Sequence, residues 1–170
     1  MLSDLGASPL LVRTAAELAE VDCLAIPGGE STTIGRLARG HGLVEPIRER
    51  AGGGMPVLGT CAGMIVMARE VIGGEPLLGL MDIVVARNAY GRQLDSFEAE
   101  LSGHGLGEEP LRGVFIRAPV VERLGEDVEV LAEHEGRPAA VEQGHLIAAA
   151  FHPELIGEQR LHRRLLEKVG

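Results

Sequence analysis

The chain has 170 residues, 45% of them hydrophobic, and its 25 acidic and 16 basic side chains give a net charge of −9 at pH 7. This length and hydrophobic content suit one α/β domain spanning residues 1–170 and exclude a disordered chain. The acidic balance and the lack of a basic run exclude nucleic acid as an expected partner. No stretch is long and apolar enough for a membrane span, so no membrane partner is expected either. The two cysteines, Cys23 and Cys61, are too few for a disulfide framework and fit a reducing cytoplasm.

The first third of the sequence predicts short helices and strands in alternation. Hydrophobic patterning and glycine punctuation place a helix end closed by Gly6, strands at Pro9–Val12 and Val21–Ile26, and helices at Ala15–Glu20, from Ser31 or Thr32 to Arg39, and at Leu43–Arg50. Cys23 lies inside the second of these strands without a flanking glycine turn, and we interpret it as a core residue.

A glycine-rich loop, Pro27-Gly28-Gly29-Glu30-Ser31-Thr32-Thr33, follows the Val21–Ile26 strand. Ligands of open α/β sheets bind beyond the carboxyl ends of the strands, and adjacent glycines let backbone N–H groups approach a ligand closely. This loop is therefore a candidate oxyanion and substrate loop, with Ser31 or Thr32 as the helix cap. An ordinary strand-to-helix turn with a capping residue is the alternative interpretation of this sequence. A phosphate-binding loop is less favoured, because the G-x-x-x-x-G-K-[ST] pattern is absent.

The stretch with the clearest chemistry is Leu58-Gly59-Thr60-Cys61-Ala62-Gly63. It follows an apolar strand, Met55–Leu58, and precedes a helical pattern from Ala62 to about Ile72. A nucleophile flanked by glycines at such a turn is the nucleophile elbow, here with cysteine in place of serine. A helix N-terminus favours a thiolate and offers N–H groups to an oxyanion. A small buried cysteine in a glycine-rich turn is the alternative.

The remainder of the sequence predicts mainly strands and one final helix. The strands are expected at Asp82–Ala86, Phe97–Leu101, Arg112–Ile116, Val128–Glu133, Ala139–Glu142 and His145–Phe151, and the helix at Gly157–Val169. Arg87 and Arg117 each stand at a strand end, where a solvated surface arginine is the ordinary interpretation.

The last predicted strand leads into Phe151-His152-Pro153-Glu154. In an extended segment, residues two apart point to the same side, so Glu154 would hold one imidazole nitrogen of His152 and leave the other for a nucleophile. The other histidines lack this arrangement, and we interpret them as surface or structural residues: His41, His104, His134, His145 and His162. A lone His-x-Glu is a weak signal, but together with the Cys61 elbow it predicts a Cys-His-Glu triad.

Taken together, these three motifs resemble the class I, triad-type glutamine amidotransferases. Further stretches resemble the glutaminase-subunit family of pyridoxal 5'-phosphate synthases, and the match runs over nearly the whole chain. These stretches are Gly79-Leu80-Met81-Asp82, Arg87-Asn88-Ala89-Tyr90-Gly91-Arg92-Gln93, Ser96-Phe97-Glu98 and Phe115-Ile116-Arg117-Ala118-Pro119.

The resemblance implies a three-layer, doubly wound, mostly parallel sheet and hydrolysis of L-glutamine to L-glutamate and ammonia. It implies Cys61 as the nucleophile, His152 and Glu154 as its partners, and the main-chain N–H groups of Gly29 and Ala62 as the oxyanion hole. The implied glutamine contacts are Gly29, Glu30, Ser31, Arg87, Ile116 and Arg117. No cofactor or metal is implied.

The resemblance also implies a partner, the synthase subunit PdxS, a (β/α)8 barrel. That subunit would receive the ammonia through a tunnel and build pyridoxal 5'-phosphate from ribose 5-phosphate and glyceraldehyde 3-phosphate. A glutaminase subunit of another pathway, such as the histidine-branch cyclase, and a catalytically silent scaffold for the synthase are the alternatives. Members of the resembled family begin with a strand and a Leu-Gln-Gly turn before their first helix. The present sequence starts inside what resembles that helix. We therefore expect the sheet to lack the family's first strand and the Met1 form to be prone to aggregation.

Overall fold

The structure, a computed structural model, describes residues 1–87, 96–107 and 109–170. Its helices are α1 (Ala15–Ala19), α2 (Ser31–Gly40), α3 (Val44–Gly52), α4 (Ala62–Met67) and α5 (Arg160–Glu167), with 3-10 turns at Ser3–Leu5 and Pro153–Ile156. Its strands are β1 (Leu24–Ile26), β2 (Val57–Thr60), β3 (Ala68–Ile72), β4 (Met81–Ala86), β5 (Ser96–Gly103), β6 (Leu111–Ile116), β7 (Val120–Leu124), β8 (Glu129–His134), β9 (Arg137–Gln143) and β10 (Leu146–Ala149).

The described strands form a seven-stranded sheet in the order β1-β2-β10-β9-β8-β5-β6 and a three-stranded sheet in the order β3-β4-β7. The predicted α/β fold class is confirmed, but the sheets are mixed rather than mostly parallel. Parallel pairing is confined to β1–β2, β2–β10 and β3–β4. The antiparallel pairs include hairpins closed by tight turns, such as Glu135-Gly136 between β8 and β9, where both residues have positive φ (50° and 74°) as a two-residue hairpin turn requires.

In the parallel part of the larger sheet β2 lies beside β10, and every residue of these two strands is buried. Because neighbouring residues of a strand point to opposite faces, full burial means that both faces are covered. Helix α4 covers the face to which Gly59 belongs, since a side chain there would meet Gly63 and Met67 of that helix. Strand β2 therefore ends in a buried position, and the turn at Cys61 follows it directly.

Strand β1 has a described neighbour on one side only, β2. This agrees with the expectation of a sheet without the family's first strand. Its open edge borders an apolar cavity of about 400 Å³ lined by residues of β1, α2 and α3, Leu24, Ile34, Leu37 and Ile47 among them. The strand predicted at Pro9–Val12 is wrong, because no described strand offers hydrogen-bonding partners to that segment.

The helix predicted from Ala62 to Ile72 is also wrong in its second half. Helix α4 ends at Met67, and Ala68 is extended, with ψ 143°. The carbonyls of Val66 and Met67 accept from the N–H groups of Leu78 and Leu80, while residues from Ala68 onward pair with β4. Strand β7 was not predicted, and α5 begins only at Arg160 rather than Gly157.

The final helix is attached to the sheet by a small cluster of charges. Glu142 on β9 is buried, and its carboxylate accepts from the guanidinium of Arg164 and pairs with Lys168 Nζ at 3.0 Å. Burial works against ionisation of Glu142, but the hydrogen bonds from Arg164 and Lys168 outweigh it and lower the pKa of the carboxyl. No helix in the described part of the chain has both the length and the apolar character needed to cross a membrane.

Candidate active site

The turn at Cys61 has the geometry that its sequence predicts. Strand β2 ends at Thr60, Cys61 has φ 50° and ψ −106°, and α4 begins at Ala62. A non-glycine residue with such a φ is strained, and strain of this kind is concentrated at functional sites. The Cys61 N–H donates to the carbonyl of Ala149 on β10 at 2.7 Å, which fixes the turn against the central sheet. Only 6% of the Cys61 surface is exposed.

Two flanking glycines allow this turn to pack. A Cβ atom placed on Gly63 would lie 2.2 Å from the carbonyl oxygen of Ile26, and one on Gly59 would lie 2.6 Å from the carbonyl carbon of Gly63. Neither position tolerates a side chain without movement of backbone. The glycines of the motif therefore hold α4 close to β1 and β2.

A histidine–glutamate pair follows β10. Nδ1 of His152 donates to Oε1 of Glu154 at 2.7 Å, because the pKa of Glu154 is low and its carboxylate can only accept. The pairing is as predicted, but the conformation is not. Glu154 lies in the 3-10 turn Pro153–Ile156 rather than in an extended segment. The backbone of His152 is anchored by its N–H, which donates to the carbonyl of Val114 on β6 at 2.8 Å.

The aromatic residue before the histidine is anchored in the core. Phe151 is fully buried, and its ring lies 5.6 Å from that of Phe115, centroid to centroid. A buried ring adjacent in sequence restricts the backbone from which His152 projects. The imidazole therefore projects from a rigid backbone just beyond the carboxyl end of β10.

Charge favours the protonated form of this histidine. Interactions with Cys61 and then with Glu154, whose carboxylate accepts a hydrogen bond from the ring, raise the pKa of His152 to about 10, against the opposing effect of burial. Burial by itself raises the pKa of Glu154, but its hydrogen bond with His152 outweighs that effect, so the pKa of Glu154 is lowered.

The end of β6 also reaches Cys61. The Cys61 Sγ lies 3.8 Å from the carbonyl oxygen of Ile116. The next residue, Arg117, has φ 44°, a left-handed conformation that turns the chain sharply after the strand. Its side chain is exposed. The structure therefore brings Ile116 to Cys61 and leaves the guanidinium of Arg117 at the surface.

The loop after β1 meets the site from the other side. Gly28 lies against the ring of His152, and Gly29 has φ 139°, a conformation that side chains rarely permit. Glu30, not the predicted Ser31 or Thr32, caps α2, with its Oε1 accepting from the N–H and hydroxyl of Thr32. Arg87 Nη2 pairs with the same carboxylate at 3.2 Å.

The structure thus gathers Cys61, His152, Glu154 and Ile116, and separately joins Glu30 to Arg87. The sequence analysis placed Gly28 in a candidate oxyanion and substrate loop but did not predict its contact with His152. It also did not predict the role of the Val114 carbonyl, because a backbone carbonyl is common to all residue types. Of the motif from Arg87 to Gln93, residues 88–93 lie outside the described residues. Within the described ranges no group of three or more His, Cys, Asp or Glu side chains is placed to hold a metal ion.

An α/β fold with a cysteine at a strand-to-helix turn beside a histidine–glutamate pair is the arrangement of a glutamine amidotransferase. The model of the SNO glutamine amidotransferase family matches residues 2–170, and the chain belongs to this family. The predicted resemblance and the predicted enzyme class, a glutaminase of the amidotransferase type, are thereby confirmed.

Individual relatives agree with the family match. The chain is 56% identical over 171 residues to a protein of Frankia casuarinae named pyridoxal 5'-phosphate synthase subunit PdxT, covering 99% of this chain and 86% of the relative. It is 53% identical to a protein of the same name from Herpetosiphon aurantiacus, covering 98% of this chain and 90% of the relative. A crystal structure described as a glutamine amidotransferase superposes with a TM-score of 0.93 at 48% identity, covering 99% of this chain and 90% of that one.

Proposed function

We propose that this glutaminase uses Cys61 as its nucleophile, with His152 and Glu154 as base and orienting residue, and supplies ammonia for pyridoxal 5'-phosphate synthesis. The observation that carries the proposal is the His152 Nδ1 to Glu154 Oε1 contact of 2.7 Å in a histidine whose pKa is raised first by Cys61. The chain is proposed to act as a single domain in the cytoplasm, where free thiols such as Cys61 stay reduced.

In the proposed first half-reaction the Cys61 thiolate attacks the side-chain amide carbon of glutamine. The amide oxygen becomes an oxyanion that accepts from the N–H groups of Gly29 and Ala62, and each such donor contributes roughly 3–4 kcal/mol in measured cases. The C–N bond breaks when His152 gives its proton to the leaving nitrogen, so ammonia departs and a thioester remains.

In the second half-reaction His152 changes role from acid to base. Its high pKa depends first on its hydrogen bond with Cys61, and the thioester removes that partner. The pKa of His152 then falls, so the imidazole can take a proton from the water that attacks the thioester carbon. Glu154 keeps Nδ1–H in place throughout, so that Nε2 is the nitrogen facing the reaction. Glutamate leaves and Cys61 is regenerated.

Recognition of glutamine is assigned to Gly29, Glu30, Ser31, Arg87, Ile116 and Arg117. Glu30 and Arg87 lie 3.2 Å apart and present charges of opposite sign. A free amino acid carries both an α-ammonium and an α-carboxylate group, so a paired acid and base at the rim suit it better than a single charge. The exposed Arg117 guanidinium adds a second positive group at the end of β6.

The proposed recipient of the ammonia is the synthase subunit PdxS, a (β/α)8 barrel. Support comes from the relatives, which are named as subunits of pyridoxal 5'-phosphate synthase. Gly28 and Gly29 form a loop with unusual backbone freedom next to the triad. We expect slow hydrolysis by the chain alone and faster hydrolysis with PdxS, because a partner can fix this loop in its productive conformation.

The test is ammonia release from L-glutamine, with and without PdxS, by wild-type protein and by Cys61→Ala and Cys23→Ala variants. Cys61→Ala is expected to abolish release, whereas Cys23→Ala is expected to retain it. A glutamine-like electrophile should label Cys61 and spare Cys23, whose pKa is raised by burial and then by Asp22. Labelling of Cys23 alone would overturn the assignment of the nucleophile. A folded wild-type protein that binds PdxS without releasing ammonia would be the silent scaffold.

A further inference from the structure

His152 is in contact with Glu154, Val114 and Gly28, and the contact between Gly28 and its imidazole has no assigned role. Its Nδ1 is fixed by Glu154 and its backbone N–H by Val114. A Cβ atom placed on Gly28 would lie 2.2 Å from Cε1, 2.9 Å from Nδ1 and 3.2 Å from Nε2 of the ring. The ring therefore occupies the volume that any side chain at position 28 would fill, and its Cε1 edge faces Gly28.

The backbone of Gly28 does not itself require glycine. Its φ lies outside the positive range, unlike that of Gly29 at 139°. The three atoms nearest to a Cβ built at position 28 all belong to the ring of His152, so the main obstacle to alanine there is the imidazole. Space for the ring, rather than backbone freedom, explains the glycine at this position.

We propose that Gly28 is a positioning residue for the imidazole of His152, and that through it the loop carrying the Gly29 N–H and the catalytic base move as one unit. The inference rests on the proposed function in that His152 is taken as the base. Because the ring contacts Gly28 directly, a loop conformation that displaces residue 28 toward the ring displaces the imidazole, and one that withdraws frees it. The oxyanion donor and the base are therefore positioned in the same step.

A side chain at position 28 can be accommodated with little loss of folding stability. The atoms that clash belong to the end of a side chain with two rotatable bonds, so the imidazole can swing away while the backbone stays in place. The expected signature of Gly28→Ala is therefore loss of turnover with little loss of stability. A residue with a merely structural role would show the reverse.

The first experiment compares Gly28→Ala with Gly40→Ala in the complex with PdxS. Gly40 ends α2, has no neighbour within 4 Å of a built Cβ and has no positive φ, so its variant is the matched control. We expect kcat of Gly28→Ala to fall by about 100-fold or more, the contribution of a positioned acid–base group. KM should change far less, and Gly40→Ala should resemble wild type. An unchanged kcat in Gly28→Ala would overturn the proposal.

The second experiment follows the protonation of His152 by NMR of its ring Cε1–H. In wild type the imidazole is expected to titrate far above its ordinary pKa of 6.5, because it is held between Cys61 and Glu154. In Gly28→Ala the titration should move back toward that ordinary value. A titration identical to that of wild type would mean that the ring had not moved, which contradicts the proposal.

A double-mutant cycle covers the case in which Gly28→Ala does not fold. In a His152→Ala background the ring is gone, so adding Gly28→Ala should leave the melting temperature unchanged. If Gly28→Ala destabilises both backgrounds equally, the contact with His152 is not the cause and the inference fails. If wild-type complex releases no ammonia from glutamine, the proposed function fails, yet the NMR titration and the cycle still decide the inference.

Discussion

The substitution Gly63→Ala measures how closely α4 must approach β1. A methyl group at position 63 would place its carbon 2.2 Å from the carbonyl oxygen and 3.1 Å from the carbonyl carbon of Ile26. The closest ordinary approach of carbon to carbonyl oxygen is about 3.3 Å. The helix would therefore have to retreat by about 1 Å, and because both clashing atoms belong to the backbone of β1, no side-chain rotation relieves the contact.

The expected change in stability is the difference between two terms. Overpacking of a rigid site costs about 3 kcal/mol at the upper end of the usual range. Replacing glycine by alanine inside a helix returns about 1 kcal/mol. The free energy of unfolding should fall by about 2 kcal/mol, which for a chain of this size lowers the melting temperature by about 4–8 °C.

Thermal unfolding followed by circular dichroism would measure this effect, with Gly40→Ala as the control. Gly40 is likewise a helical glycine, at the last position of α2, but a Cβ there meets nothing within 4 Å, so the melting temperature of Gly40→Ala should equal that of wild type or be slightly higher. If Gly63→Ala melts at or above the wild-type temperature, the close approach of α4 to β1 is not present and the reasoning is refuted. Turnover of Gly63→Ala should also fall, because Ala62 and its N–H move with the helix.

Further predictions concern charge, pH and association. Arg164→Ala should lower the free energy of unfolding by about 2–3 kcal/mol at pH 7, because buried Glu142 then loses two of its hydrogen bonds. Since the pKa of Glu142 is lowered in the folded protein, the difference from wild type should shrink as pH falls through that pKa. If urea titrations show the same loss at every pH, the charge of Glu142 plays no part. His162 is buried, its Nδ1 has no hydrogen-bond partner within the described ranges, and burial lowers its pKa against the pull of Glu154. The unfolded chain therefore binds a proton there more readily than the folded one, so stability should decline as pH falls below 6.5, and His162→Leu should flatten that decline; equal pH slopes in the two proteins would show that His162 plays no part. Leu37 is 53% exposed and lines the same apolar cavity as β1, so Leu37→Glu should raise the concentration at which the protein self-associates in sedimentation experiments. An unchanged association profile would show that this apolar surface does not drive self-association.

The chemistry of the site was more predictable than the exact elements that carry it. Residue type and spacing are enough to identify the glycines flanking Cys61, because the tight turn needs them. The same holds for the His152–Glu154 pair, because the hydrogen bond needs an imidazole and a carboxylate. The path between them is less visible. Glu154 contacts His152 from a 3-10 turn, although the same residues at the same spacing are also compatible with an extended segment.

The predicted ends of helices were wrong where contacts with residues distant in the sequence determine them. The apolar run after Cys61 is compatible with a longer helix, and only the hydrogen bonds from Leu78 and Leu80 end α4 at Met67. Likewise Glu30 caps α2 in place of the better capping residues that follow it, while also pairing with Arg87, 57 residues away. Local propensity contains no information about partners so distant in the chain.

The position of β10 has a consequence for how the chain is made. This strand is the last in sequence, yet it lies between β2 and β9 and joins the parallel end of the large sheet to the antiparallel end. A nascent chain emerging from the ribosome can form the β8–β9 hairpin early, because its contacts are local, but β2 must wait for residues 146–149 to gain its second neighbour. The carbonyl of Ala149 that anchors Cys61 arrives with that strand, and His152 follows three residues later. We therefore expect the turn at Cys61, the His152 position and the continuous sheet to form together, only after residue 152 has been synthesised.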